Sequence, residues 1–252
     1  MNRLSQLLAA TAVVALGYST AAVQAAPAGP IKNIVLVHGA FADGSGWKAV
    51  SDILQADGYN VSIVQPPETS LEDDVAATNR ALNALDGPAV LVGHSYGGII
   101  ITEAGNNPHV SSLVYVAAFQ PDAGESLGSL GAKMPPASNS VKPSPDGFLY
   151  IDPAAFHADF TADLPASETD LMARSQVYLS LKSAGAAVSA PAWKNKPSYA
   201  IVATNDRAIN PDLERFMYKR SHSEVIEIPS SHVVYMSHPQ EVAALIEKAA
   251  SR

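Results

Sequence analysis

The sequence contains no cysteine. Disulfides, thiolate nucleophiles and zinc–thiolate sites are therefore excluded together. Positive charge is scarce as well. Lys and Arg number 16 against 24 Asp and Glu, a formal net charge of −8. That balance argues against nucleic acid and anionic membrane surfaces as partners. No apolar run reaches the ~20 residues a membrane-spanning helix needs, and no internal repeat is visible. What is present is a chain of 252 residues, 47% hydrophobic, the usual size of one α/β domain. A chain of that length buries roughly 70–75% of the surface its unfolded form exposes, so it needs no covalent staple.

The N-terminus reads as a targeting segment. Arg3 supplies a positive charge, Leu7 to Leu16 an apolar stretch, and Val23-Gln24-Ala25 a small-x-small cleavage site. Residues 1–25 are expected to be a signal peptide and 26–252 the mature domain, exported to the periplasm or secreted. No cysteine follows the apolar stretch, which excludes a lipoprotein anchor. No stable membrane anchor is expected after cleavage.

Beyond this segment, apolar runs alternate with helical patterns. Asn33–Val37, Val61–Val64, Ala89–Val92, Leu113–Ala117, Tyr199–Ala203 and Val225–Ile228 read as strands. Helical spacing falls over Trp47–Ala56, Leu71–Leu85, Gly97–Gly105, Asp212–Arg220 and Pro239–Ala250. Ser70 is placed to cap the second helix, whose first turn carries Glu72, Asp73 and Asp74 to complement the dipole. Most strands are apolar on both faces. That predicts an α/β fold with a mostly parallel central sheet and helices on both sides. The alternation breaks over about 120–196, a proline-rich stretch with one clear helical pattern at Ser167–Ser183. Its length and its aromatic residues predict a helical lid inserted between core strands.

The chemistry lies in Gly93-His94-Ser95-Tyr96-Gly97-Gly98. A G-x-S-x-G motif between a buried strand and a helix is the nucleophile elbow of the α/β-hydrolase fold. The sharp turn strains Ser95 and demands tiny residues at Gly93 and Gly97. It lifts the serine hydroxyl above the carboxyl edge of the sheet. In this fold one oxyanion donor follows the nucleophile and another comes from a loop after an early strand. The backbone N–H groups of Tyr96 and Ala40 fit those places. His38 and Gly39 support that loop, with His38 holding it by hydrogen bonds. A serine nucleophile needs a general base. Of the seven histidines, His232 lies in the loop after the last strand, where the chain returns to the sheet's carboxyl edge. His94 should point away from the serine hydroxyl, His109, His157 and His222 lie in surface settings, and His238 starts the last helix. The orienting acid falls between serine and histidine in chain order. Asp206, leaving the strand at Tyr199–Ala203, fits best, and Asp122 is the other position that could serve. No metal and no organic cofactor are required.

At this point the residues resemble a known family. Val35-Leu36-Val37-His38-Gly39-Ala40, Gly46-Trp47, the Gly93–Gly98 elbow, Asn205-Asp206-Arg207-Ala208-Ile209 and Ser231-His232 are similar to the plant methylesterase and hydroxynitrile lyase family and its bacterial exported, esterase-like α/β-hydrolase relatives. The resemblance runs from about Ile31 to Ile246 and is weakest in the insertion. It implies a triad of Ser95, Asp206 and His232 with oxyanion donors at Ala40 and Tyr96. The family's lyases resemble one another in a threonine after the loop histidine and a lysine after the catalytic histidine. Here those positions hold Gly39 and Val233, which favours ester hydrolysis. The expectation is a serine hydrolase cleaving carboxylic esters of small molecules through an acyl-enzyme. A lactonase, thioesterase or perhydrolase reaction on the same triad, or a non-catalytic receptor for a small ligand, are the alternatives.

Overall fold

The computed structural model describes residues 31–251. The expected signal peptide lies outside the described residues. In chain order the first half runs β1 (Asn33–Val37), α1 (Lys48–Ala56), β2 (Asn60–Val64), α2 (Leu71–Leu82), β3 (Ala89–Ser95), α3 (Gly97–Ala104) and β4 (Val110–Ala118). An insertion follows with α4 (Leu127–Lys133), β5 (Val141–Pro143), β6 (Phe148–Ile151), α5 (Phe156–Phe160), α6 (Ala166–Arg174), β7 (Leu179–Ser180) and α7 (Leu181–Gly185). The chain closes with β8 (Ser198–Ala203), α8 (Pro211–Arg220), β9 (Glu224–Ile228), α9 (Val234–Ser237) and α10 (Pro239–Ala250).

The core sheet has the order β2-β1-β3-β4-β8-β9, and every neighbouring pair is parallel. Strand side chains alternate between faces, so each strand feeds two cores. Val35, Leu91, Tyr115 and Val202 pack with residues of α2, α3 and α8. Ile34, Val90, Val114 and Ile201 pack with residues of α1 and α10. Full burial of such side chains is worth roughly 1.5–3 kcal/mol each, which is why the central strands leave neither face to water, while the edge strands β2 and β9 are partly exposed. No helix among the described residues is long and apolar enough to cross a membrane.

Local chemistry sets the helix ends. Ser70 Oγ accepts from Asp73 N at 3.1 Å and starts α2. This helix stops at Leu82 rather than Leu85, because Ala84 N and Leu85 N bond three residues back, to Ala81 O and Leu82 O, tightening the last turn. Asn210 caps α8 through Asp212 N at 3.0 Å, with Pro211 at the first helical position.

The insertion departs from the expected helical lid. It combines four short helices with a three-stranded antiparallel sheet, β5-β6-β7. The helix expected over Ser167–Ser183 is broken: α6 covers its first part, β7 interrupts it, and only its last three residues fall in α7. Gln176 ends α6 by behaving as a strand edge: its side chain accepts from Ile151 N and donates to Ile151 O, both at 2.8 Å. Tyr178 then stacks on Tyr150 with ring centroids 5.3 Å apart, and the chain enters β7.

After β1 the chain moves to one side of the sheet, and after β3 it moves to the other. A crevice opens at the carboxyl ends of such strands, and ligands of open α/β sheets bind there. His38 follows β1 and Ser95 ends β3.

Candidate active site

Ser95 is built into a strained turn. Its φ is +54°, a left-handed backbone that a non-glycine residue adopts only at a cost. The turn is also sterically full. A Cβ on Gly93 would stand 2.6 Å from Gly97 O, and one on Gly97 would stand 2.7 Å from both Val37 O and His38 O. A Cβ on Gly39 would meet Ser95 Cβ at 2.5 Å and His94 O at 2.8 Å. The threonine expected of a lyase therefore has no room at this position.

Ser95 is 7% exposed and opens into a cavity of about 220 Å³, whose lining includes Ala40, Tyr96, Phe160, Leu213 and His232. His232 Nδ1 lies 2.5 Å from Asp206 Oδ2, and both side chains are buried. An ionised carboxylate only accepts, so Nδ1 carries the proton and Nε2 presents its lone pair. That Nε2 has no hydrogen-bond partner among the described residues. Asp206 Oδ1 also accepts from Ala208 N at 2.7 Å and Ile209 N at 2.9 Å. The aspartate thus forms its turn and orients the histidine at once. Asp122 is elsewhere, paired with Lys194 at 2.5 Å near the surface.

The loop carrying His232 is fixed from two sides. Asp163, from the insertion, accepts from Ser230 Oγ at 2.6 Å, from Ser231 N at 2.9 Å and from Ser231 Oγ. Burial alone would raise the Asp163 carboxyl, but the bonds from Ser230 and Ser231 hold it below the usual range. From below, His94 Nε2 lies 3.0 Å from His232 O, and a carbonyl can only accept. Burial pushes His94 well below the ordinary imidazole range, so it is a neutral donor. Its ring packs 4.6 Å from that of His232, and Phe160 packs on His232 at 4.8 Å.

Among the described residues no acceptor takes the backbone N–H of Ala40 or Tyr96. Both residues line the cavity. Two buried carboxyl groups underlie them. Tyr96 OH donates to Asp74 Oδ2 at 2.6 Å, and Glu68 N donates to Asp74 Oδ1 at 2.7 Å. His38 Nδ1 donates to Gly39 O at 3.0 Å and lies 3.6 Å from Glu68 Oε1. Burial lowers His38 and pushes Glu68 well above the usual carboxylate range. His157 and His222 are exposed, and His109 is half-buried against Gly87 O. His238 begins α10 without a side-chain cap bond. None of these four lines the cavity.

Asp74, Glu68, Asp163 and Glu214 were not singled out as site residues from the sequence. For two of them a signal existed. Asp74 falls on the buried stripe Leu71, Asp74, Thr78, Leu82 of α2, and Glu214 falls on Leu213, Glu214, Met217, Tyr218 of α8. A carboxylate on the buried face of an amphipathic helix is seldom placed there without a partner.

A serine elbow at the switch point of a parallel sheet, faced by an Asp–His pair from later strands, defines an α/β-hydrolase fold. The chain belongs to the Alpha/beta hydrolase family, whose sequence model matches residues 34–245. It is similar to the carbendazim hydrolyzing esterase of Nocardioides sp. (strain SG-4G), 33% identical over 124 residues, 44% of this chain. That match spans only 51% of the esterase. It is also similar to methylesterase 1 of Arabidopsis thaliana, 29% identical over 124 residues, 41% of this chain and 47% of that one. Among solved structures, a pyrethroid hydrolase from Sphingobium faniae JZ-2 superposes with a TM-score of 0.72, covering 87% of this chain and 97% of that one. Its identity is 22%, so this likeness speaks for the fold alone.

Proposed function

We propose that the protein hydrolyses carboxylic esters of small apolar molecules through an acyl-enzyme on Ser95. The observation that carries this reading is the buried 2.5 Å contact of His232 Nδ1 with Asp206 Oδ2, at a cavity that Ser95 also lines. Asp206 keeps the imidazole in the tautomer whose Nε2 can take the Ser95 proton. The serine oxygen attacks the ester carbonyl, and the oxyanion that develops is met by the N–H groups of Ala40 and Tyr96. His232 then returns the proton to the leaving alcohol. In the second half it activates a water that releases the acid from Ser95.

The names of two relatives, an esterase and a methylesterase, support ester cleavage. The wall formed by Phe119, Leu127, Met134, Leu149 and Leu213 supports an apolar substrate. Val233, buried beside the histidine, offers no cation for the lyase reaction.

The test is Ser95→Ala on short-chain nitrophenyl esters. Loss of the serine in a protease triad costs about a million-fold in turnover, and a comparable loss is expected here. A fluorophosphonate probe should label the wild type and not the variant. Ester turnover retained by Ser95→Ala would sink the assignment, and an unlabelled wild type would favour a ligand receptor.

A further inference from the structure

Glu214 takes no part in the steps above, yet it is fully buried on α8. Its side chain forms no ion pair among the described residues. Oε2 accepts from Ala203 N at 3.3 Å, while Oε1 meets no donor. Asp206 donates its own N–H to Ala203 O at 3.1 Å. Glu214 and Asp206 thus both anchor on Ala203 at the end of β8, one through its carboxyl and one through its backbone, which brings their two carboxyl groups together there. The remaining titratable neighbours do not compensate a second charge. Arg215 is turned outward to Glu227 and Asp212, and Tyr218 OH is engaged with Ala118 N and Ala118 O.

Two carboxylates in one dry pocket do not both ionise. Asp206 has three donors to support its charge, His232 Nδ1, Ala208 N and Ile209 N. Glu214 has one. The shared proton stays on Glu214, which burial and then the Asp206 charge push well above the usual carboxylate range. With Oε2 engaged by Ala203, the O–H sits on Oε1.

We propose that Glu214 is a positioning residue: a neutral carboxylic acid whose O–H donates to the Asp206 carboxylate and, through it, holds the His232 imidazole in place. This rests on the Ser95–His232–Asp206 reading of the site. The donor also spreads the Asp206 charge over a second hydrogen-bonded oxygen.

Infrared difference spectra of wild type against Glu214→Gln at pH 7 test the protonation directly. A protonated-carboxyl C=O band is expected, and its absence would overturn the proposal. Because that readout needs no turnover, a protein that shows the band but hydrolyses no ester contradicts the hydrolase reading instead. Kinetics test the positioning. Glu214→Leu should lower kcat about tenfold with KM little changed, and should move the acid limb of kcat/KM up by about half a pH unit or more. Glu214→Gln should recover most of that loss, since its amide donates to Asp206 while its carbonyl takes Ala203 N–H. An acid limb that moves down in Glu214→Gln would mean the glutamate is ionised. A Glu214→Leu enzyme identical to wild type would remove the role. Should Glu214→Leu fail to fold, the infrared band and the Glu214→Gln profile still decide.

Discussion

One methyl group measures how closely the reacting backbone is packed. Gly39 precedes Ala40, and a Cβ there would press on Ser95 Cβ at 2.5 Å and His94 O at 2.8 Å. Neither is the far end of a flexible side chain, so the loop itself must shift. Gly39→Ala should therefore misplace the Ala40 N–H and lower kcat about 100-fold, as deletion of an oxyanion donor does. Overpacking should also destabilise the fold by about 1–3 kcal/mol. Steady-state kinetics and a denaturation curve check both, and wild-type kcat in a folded Gly39→Ala would remove Ala40 from the oxyanion role. At this scale the sequence was legible where chemistry dictates residue type. Ser95, Asp206 and His232 stand in motif, order and loop context that few other functions require. Glu68 was not, because a glutamate in a turn reads as surface charge until its neighbours show it buried, and for Asp74 and Glu214 the only signal was their place on the apolar stripes of α2 and α8.

The elements divide in the same way. The central strands β1, β3, β4 and β8 were readable because burial on both faces leaves a nearly unbroken apolar run; β1 has the expected ends, and the ends of the other five core strands differ by at most three residues. The insertion was not, because its short elements depend on single side-chain bonds, such as Gln176 on Ile151 and the Ser126–Ser129 capping box of α4. Periodicity cannot reveal those. If His232 is the base proposed above, the insertion bears on catalysis, since Asp163 holds Ser230 and Ser231 ahead of His232. Asp163→Ala should free that loop and let the imidazole drift. A displacement of about 1 Å costs on the order of 100-fold in rate, so kcat should fall between about 10-fold and 100-fold with KM nearly constant. Asp163→Asn, which keeps an acceptor, should lose less. Paired kcat and KM values check this, and an effect confined to KM would assign Asp163 to substrate binding instead.

The whole molecule buries titratable groups of both kinds, and their signs set its stability against pH. His38 and His94 are neutral in the fold because burial lowers them from 6.5. The unfolded chain takes up more protons there, so their stability contribution is lost as pH falls below that value. Asp163 and Asp159 lie below the usual range through their hydrogen bonds, although burial opposes it, and their contribution is also lost on acidification. Glu68 and Glu214 act oppositely. Burial, then a neighbouring aspartate, raises each well above 4.5. The folded chain keeps protons that the unfolded chain releases, so their contribution is complete below 4.5 and is lost as pH rises. Stability should thus be lost on acidification through the histidines and hydrogen-bonded aspartates, and lost as pH rises above the ordinary carboxylate range through Glu68 and Glu214, with Asp74 raised by burial in the same direction. Glu68→Gln removes one of them without changing shape. It should flatten the decline by up to roughly 1 kcal/mol per pH unit, and it should be more stable than wild type at pH 8. Urea midpoints from pH 5 to 9 measure this. An unchanged alkaline slope would mean that Glu68 is ionised in the fold, paired as an anion with a protonated His38 at 3.6 Å, and the oxyanion loop would then rest on an ion pair rather than on two neutral groups.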